Sequence, residues 1–168
     1  MQRIGLVETT APTVEPVTTA EMKTWAHIDH SEEDTLIDSL VAAYRRKVES
    51  WQQRALITQT WTLTADCFND IKDMYGALII PKPPLQSITS ISYVDTDGNS
   101  QTWSSALYSV DTASEPARIT PIFGESYPST QNIPNAVTII FVAGYGNAAS
   151  DVPDETKTAI KILVGCDL

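Results

Sequence analysis

The residues with the clearest potential for chemistry are two histidines and two aspartates that lie close together in the sequence. His27, Asp29, His30 and Asp34 are of the types that bind zinc and other divalent metals. They fall, however, at the predicted junction between two helices, where polar residues are common, and no other segment supplies further ligands at a recognisable spacing. We therefore expect a solvated turn here and assign no metal ligands.

Two glycine-containing segments resemble ligand-binding loops in composition. Asp95-Thr96-Asp97-Gly98-Asn99 has the residue types of a calcium loop, but its glycine comes too early and no bidentate glutamate follows at the required offset. Gly144-Tyr145-Gly146 follows a strand pattern as a phosphate loop would, yet it lacks the lysine and the glycine spacing of nucleotide-binding motifs. We interpret the first as a hairpin turn and the second as the end of a strand.

Nucleophilic catalysis also lacks support in the sequence. Serines and threonines are plentiful, but both histidines lie at one helix junction, so no pattern brings a nucleophile, a base and an orienting acid together. Cys67 and Cys166 are far apart and match no metal or redox spacing, which favours free thiols in a reducing cytoplasm. We predict a protein that is not an enzyme and that needs no cofactor.

The acidic composition limits the classes of partner. The 168 residues are 42% hydrophobic, enough for one well-buried core, and carry a formal charge of -10. Residues 61–150 contain only three basic side chains, Lys72, Lys82 and Arg118, against eight acidic ones. Such a surface repels phosphate, so we expect neither adhesive nucleic-acid binding nor attraction to anionic membranes. No apolar run approaches membrane-spanning length, and no signal-peptide pattern is present.

Two helices are specified near the N-terminus. Thr18 and Glu21 form a capping box, with Val17 and Met22 placed for a hydrophobic staple, so the first helix begins at Thr18. Its apolar face is expected to bury Trp25. A second helix begins at Ser31, with acidic residues in its first turn and basic residues toward its far end. Its predicted buried face consists of apolar residues at helical spacing: Leu36, Ile37, Leu40, Val41, Tyr44, Val48 and Trp51.

The middle of the chain changes to strand patterns. Alternating apolar residues and threonines around Trp61 indicate a strand with one buried face, and the Asp95 to Asn99 turn joins two further strands. Residues 137–142 are apolar almost throughout and predict a strand in the centre of its sheet. Shorter strands are predicted at 77–80, 108–110 and 118–120, and Pro153 opens a last helix.

These elements predict an α+β fold in which helices flank an inserted antiparallel β-rich lobe. Residues 17–54 and 151–168 form a helical module, residues 55–150 form the lobe, and together they make one domain of residues 17–168. Residues 1–16 carry prolines, threonines and few apolar side chains, so we expect an extended N-terminal arm that becomes ordered on a partner.

Candidate partner-binding residues lie in loops and on the last helix. Phe123, Tyr127 and Tyr145 are aromatic residues in predicted loops, where they either mark a partner surface or fold back into the core. The apolar face of the last helix is either packed within the subunit or offered to a partner, and it consists of Ile160, Leu163 and Val164.

The order of several segments resembles the head-tail connector, or adaptor, family of tailed bacteriophages. Each segment taken alone is a cap, turn or strand pattern, and their serial order carries the resemblance. The segments are residues 17–23 (VTTAEMK), 27–37 (HIDHSEEDTLI), 54–61 (RALITQTW), 81–91 (PKPPLQSITSI), 108–119 (YSVDTASEPARI), 141–146 (FVAGYG) and 151–165 (DVPDETKTAIKILVG).

The resemblance implies a structural protein of the virion neck, with the host cytoplasm as the site of assembly. It implies a homo-oligomeric ring, a dodecamer in the virion, that docks on the portal protein and joins it to a stopper or other tail-side neck protein. DNA would pass through the channel without specific binding, and an acidic wall with few cations suits such passage. The alternative from a different class is a monomeric β-rich ligand-binding module with a helical cap.

Overall fold

The computed structural model describes residues 4–168, which divide into two compact units. The first, the sheet unit, contains the described residues up to Ala11 together with Gln59–Ala143. The second, the helical unit, contains Pro12–Thr58 and Gly144–Leu168. The α+β class predicted from the sequence is confirmed, with three α-helices and eight strands among the described residues.

The sheet unit contains two antiparallel sheets. Five strands pair in the order β1-β2-β8-β4-β5, and three pair in the order β3-β7-β6. The strands are β1 (Ile4–Thr10), β2 (Gln59–Ala65), β3 (Leu78–Ile80), β4 (Leu85–Val94), β5 (Ser100–Thr102), β6 (Tyr108–Asp111), β7 (Ala117–Pro121) and β8 (Val137–Ala143).

Strand β8 occupies the centre of the five-stranded sheet, as its apolar sequence predicts. It pairs with β2 on one side and with β4 on the other. Val137, Ile139 and Phe141 on one face are fully buried, while the residues between them are only partly buried. Because β8 is paired on both sides, it exposes no backbone edge, and its fully buried face anchors the sheet.

Strand β1 corrects the prediction for the N-terminal arm. The sequence placed residues 1–16 outside the fold, yet Ile4–Thr10 pairs antiparallel with β2, from Ile4 opposite Ala65 to Thr10 opposite Thr60. Few of its residues are strongly apolar, so hydrophobic patterning gave little warning. The strand is held by backbone hydrogen bonds to β2, which a composition-based argument does not register.

The helical unit contains α1 (Thr19–Ala26), α2 (Asp34–Gln52) and α3 (Asp154–Gly165). The predicted capping box of α1 is present: the Thr18 hydroxyl accepts from the Glu21 backbone N–H at 3.2 Å, and the Glu21 carboxylate accepts from the Thr18 N–H at 2.8 Å. This hydrogen bond lowers the pKa of Glu21. Helix α2 begins three residues later than predicted, with Glu33 as its N-cap.

The core of the helical unit contains the apolar faces of its helices and apolar residues from three short segments beside them. Its buried members are Val17, Met22, Ile37, Val41, Val48, Leu56, Ile57, Val152, Ile160 and Val164. Three residues expected in this core are instead substantially exposed: Leu36, Trp25 with 47% of its surface exposed, and Trp51 with 63%. The helices bury a narrower stripe than the apolar pattern indicates, because the described chain covers these three side chains only in part.

A buried ion network ties α2 to two neighbouring segments. The Arg45 guanidinium is almost completely buried and donates to Glu15 and to Glu49, at 2.7 Å in each case. The other Glu49 oxygen accepts from the Leu56 backbone N–H at 2.9 Å. Through these contacts one arginine positions both the segment before α1 and the segment after α2.

Candidate functional site

Two of the four polar residues at the α1–α2 junction, His27 and Asp34, have structural roles. His27 has φ 57° and is the left-handed C-cap of α1, donating its backbone N–H to the Lys23 carbonyl. The Asp34 carboxylate accepts from the Lys23 ammonium at 2.8 Å. Among residues 4–168 no group of three or more His, Cys, Asp or Glu side chains has a metal-binding arrangement.

The acidic loop between β4 and β5 is a hairpin turn, as predicted. One oxygen of Asp95 accepts from the backbone N–H groups of Asp97 and Asn99, at 3.0 and 2.8 Å, and the other accepts from the Gln101 side chain at 2.9 Å. These hydrogen bonds, that of Gln101 above all, lower the pKa of Asp95. The carboxylate is therefore engaged in holding the turn.

The Gly144-Tyr145-Gly146 segment makes a close backbone crossing. Gly144 has φ 132°, and a Cβ at this position would lie 2.5 Å from the Ile57 carbonyl group. The Tyr145 N–H donates to Leu56 and the Thr58 N–H donates to Gly146, at 3.1 and 2.9 Å. Glycine is required at position 144 because both the dihedral angle and the space exclude a side chain. Close packing against the backbone of Ile57 and Thr58 accounts for this glycine.

The three loop aromatics differ in their environments. Tyr127 folds back into the sheet unit: its hydroxyl donates to the Gly76 carbonyl at 2.8 Å, and the Lys72 ammonium lies 3.8 Å from the centre of its ring. Tyr145 packs against the helical core and its hydroxyl accepts from Arg54 at 3.0 Å. Phe123 alone is fully exposed. The alternative of folding back therefore applies to Tyr127 and Tyr145 in this chain.

The apolar face of α3 is packed within the helical unit. Ile160 and Val164 are completely buried, and Leu163 packs against the same core. Of the two roles left open for these residues, packing within the subunit is the one that the folded chain adopts. Their burial removes Ile160 and Val164 from any surface that a partner could contact.

One exposed apolar surface of the sheet unit was not predicted as a surface from the sequence. Met74 and Tyr75, in the turn before β3, are almost fully exposed, as is Phe123 just after β7. Because β3 and β7 run antiparallel, with Leu78 opposite Ile119, these two turns lie at the same end of the three-stranded sheet. We call Met74, Tyr75 and Phe123 the apolar tip. Exposed apolar groups at one place are typical of partner surfaces, and only the topology brings these together.

The helical unit carries a second exposed aromatic surface and a concave one. Near the C-terminal end of α2, the Lys47 ammonium lies 5.1 Å from the centre of the exposed Trp51 ring. On another side of the same helix a cavity of about 490 Å³ is lined by Val17, Val41 and neighbouring apolar residues, together with the carboxylates of Glu15 and Asp38. These features make the helical unit suited to protein contacts.

Comparisons with known proteins give similarity in structure alone. No protein-family model matches the sequence, and no curated protein matches it. Three solved structures contain a chain with the same fold. In "Virion of native gene transfer agent (GTA) particle" the TM-score is 0.79 at 20% identity, and the match covers 96% of this chain and 82% of the other.

The two other structures are of necks. In "Neck of empty GTA particle computed with C6 symmetry" the TM-score is 0.78 at 21% identity, covering 96% of this chain and 82% of the other. In "Neck of native GTA particle computed with C12 symmetry" it is 0.67 at 23% identity, covering 96% and 81%. The likeness establishes the fold. It spans both the sheet unit and the helical unit, because a match over 96% of the chain leaves neither out.

Proposed function

We propose that this chain is a structural subunit of the neck of a phage-like particle. The observation that carries the proposal is the match over 96% of the chain to chains of gene transfer agent particles, two of them described as necks. Both units are included in the match, so the shared arrangement is that of a whole subunit and not of one common motif. The order of sequence segments that resembles phage adaptors supports the same conclusion independently.

Within the neck, the chain serves as a head-tail connector. Copies form a homo-oligomeric ring, a dodecamer in the virion, that docks on the portal protein and joins it to a stopper or other tail-side protein. The C6 and C12 symmetries under which the similar necks were computed support a ring. A single heterologous contact, repeated by rotation, closes such a ring without any additional protein.

The surface chemistry suits a connector better than an enzyme. The charge of -10 gives DNA few cationic contacts, so a ring of these subunits allows DNA to pass without holding its phosphates. The apolar tip and the exposed Trp51 supply uncharged groups for contacts with other proteins. We assign no catalytic role to the chain.

Locating the protein in intact particles tests this function. Particles assembled with a tagged chain in the host cytoplasm are purified, and the tag is located by electron microscopy with a labelled tag-binding fragment. We expect the label between the head and the tail, and we expect particles lacking the chain to be heads without attached tails. Label at another place in the particle, or tails attached in its absence, contradicts the proposal.

The ligand-binding alternative has less support. The sheet unit contains a crevice of about 340 Å³ whose described lining consists of apolar residues from β1, β2, β3 and the segments beside them. A site that selects a small molecule combines apolar walls with a few converging polar groups. The described lining of this crevice contains apolar side chains and lacks polar side chains of that kind. Binding of a small molecule to the isolated, monomeric chain would favour this alternative.

A further inference from the structure

The C-terminal part of α2 presents an aromatic side chain accompanied by positive charge. Trp51 has 63% of its surface exposed, and Arg46 and Lys47 are exposed on the preceding turn. We call these three residues the Trp51 corner. A helix dipole interacts with cations most strongly in the last turn of the helix. Arg46 and Lys47 lie before the last turn of α2, so this interaction does not account for their position. Exposed tryptophan and cationic side chains together are typical of residues that dominate protein contacts.

On the other side of α2 lies the cavity of about 490 Å³, which we call the acidic pocket. Val17 and Val41 contribute apolar walls, while Glu15 and Asp38 contribute carboxylates. Asp38 accepts a hydrogen bond from the Thr19 hydroxyl, and Glu15 accepts one from Arg45 at 2.7 Å. A carboxylate can accept several hydrogen bonds, so both retain capacity for a cation. The volume is within the range of about 300–1,000 Å³ found for sites that enclose small molecules, and it accommodates an indole ring.

We propose that the Trp51 corner of one copy of this chain docks into the acidic pocket of the next copy. The indole of Trp51 meets the apolar walls, and Lys47 and Arg46 meet the carboxylates of Asp38 and Glu15. The occupant is a second copy because the chain itself supplies both complementary surfaces, one cationic and aromatic, the other anionic and apolar.

The placement of the two surfaces on α2 suits a ring. Trp51 follows Asp38 by thirteen positions, and a helix turns about 100° per residue, so the two side chains point about 140° apart around the axis. Neighbours in a closed ring contact each other through different surfaces on roughly opposite sides of each subunit. This inference rests on the proposed function, since the contact it names is the one that closes the proposed ring.

Charge exchange between the two surfaces is the decisive experiment. Lys47→Glu places a carboxylate opposite Asp38, and Asp38→Lys places an ammonium opposite Lys47, so each variant alone should self-associate roughly tenfold more weakly than the wild-type chain. Mixing the two variants should restore association, because the new carboxylate at position 47 of one variant then meets the new ammonium at position 38 of the other. A single chain carrying both substitutions should associate with itself. Lys82→Glu and Asp97→Lys, which make the same charge changes in the sheet unit, are the controls.

Sedimentation of the full-length chain at low salt, up to about 1 mM protein, provides the measurement, with melting curves to verify folding. We expect species larger than a dimer that dissociate as salt is raised. A wild-type chain that stays monomeric, association that stops at a dimer, or folded charge variants whose mixture does not recover association would each overturn the proposal.

Two further substitutions test the apolar part of the contact. Trp51→Ser removes the indole, and Ala148→Trp fills the acidic pocket from an exposed loop position. Both should weaken association roughly tenfold or more. The matched controls in the sheet unit are Ile133→Ser and Ala106→Trp, which also change exposed positions and should leave association unchanged. If the controls weaken association as much as the test variants, the contact is not the one proposed.

Failure of this inference is distinguishable from failure of the proposed function. If the label lies in the neck while the charge variants associate and assemble as the wild-type chain does, the connector function stands and this contact is wrong. If the label lies elsewhere while the charge exchange restores association in solution, the contact stands and the neck function is wrong.

Discussion

The buried network around Arg45 provides the sharpest test of what stabilises the helical unit. Glu49→Gln keeps an acceptor for the Leu56 N–H but removes the negative charge 2.7 Å from the Arg45 guanidinium. Arg45 is almost completely buried, so losing a charged partner should cost about 3–5 kcal/mol of unfolding free energy. Glu15→Gln changes the other partner of the same guanidinium, but its side chain is 30% exposed, and we expect a cost of about 1–2 kcal/mol.

The double variant Arg45→Met/Glu49→Gln separates a buried charge left unpaired from the loss of packing. Methionine fills much of the arginine volume, and the carboxylate that it leaves unpaired, that of Glu15, is 30% exposed and reaches water. The double variant should therefore be less destabilised than Glu49→Gln alone, by about 1–2 kcal/mol. Urea unfolding followed by far-UV circular dichroism gives the free energies, with equal m-values required for the comparison. If the costs of Arg45→Met and Glu49→Gln, each measured alone, add up to the cost of the double variant, the reasoning is refuted. A cost below about 1 kcal/mol for Glu49→Gln would also refute it.

Four further predictions follow from burial, hydrogen bonding, strand pairing and charge. Met22→Ala should cost about 2–5 kcal/mol because Met22 is fully buried, and Trp25→Ala only about 1–2 kcal/mol because Trp25 is half exposed; urea unfolding compares the two. The Ser114 hydroxyl and then Arg118 lower the pKa of Asp111 to about 2, so its stabilisation is present above its ordinary pKa of 3.8 and lost as the pH falls toward 2. The difference in melting temperature between Asp111→Asn and the wild-type chain should therefore shrink over that interval, and a constant difference would contradict the assignment. Deleting residues 1–10 should lower the melting temperature, because β2 loses one of its two partner strands and becomes the edge of the sheet; a chain that begins at residue 4 is the control, and an unchanged melting temperature would support the arm prediction instead. Gel shift at low salt should detect no saturable DNA binding at micromolar protein, since the chain carries a charge of -10.

The elements were predictable where local chemistry specifies them. The capping box at Thr18 and Glu21, the turn at Asp95 and the central strand β8 depend on residues that are close in the sequence, and all three are present. Strand β1 was missed because its pairing with β2 joins residues that are 50 (Thr10 and Thr60) to 61 (Ile4 and Ala65) positions apart, and because it depends on backbone groups, which every sequence has.

The candidate surfaces were less predictable because they depend on what the fold leaves uncovered. The sequence singled out Phe123, which is exposed, but gave no reason to associate it with Met74 and Tyr75. That association requires the antiparallel pairing of β3 and β7. Similarly, the sequence places Tyr127 in a loop but does not indicate that its hydroxyl donates a hydrogen bond to the Gly76 carbonyl. Exposure is a property of the packed chain, and composition alone assigns it poorly.

The two tryptophans that hydrophobic periodicity assigned wrongly differ in what their exposure means. Trp25 lies over Gly165, where a Cβ would be 3.7 Å from the indole nitrogen, so the end of α3 covers part of its ring. The Lys47 ammonium lies over the Trp51 ring, and Trp51 remains the more exposed of the two tryptophans. A large apolar side chain at helical spacing that the fold leaves uncovered runs against the local pattern, and such departures concentrate at functional surfaces. Trp51 is therefore the residue at which the effects of a substitution on stability and on assembly should differ most clearly. Trp51→Ser should leave the unfolding free energy within about 0.5 kcal/mol of the wild-type value, as at other exposed positions. The same substitution should weaken self-association.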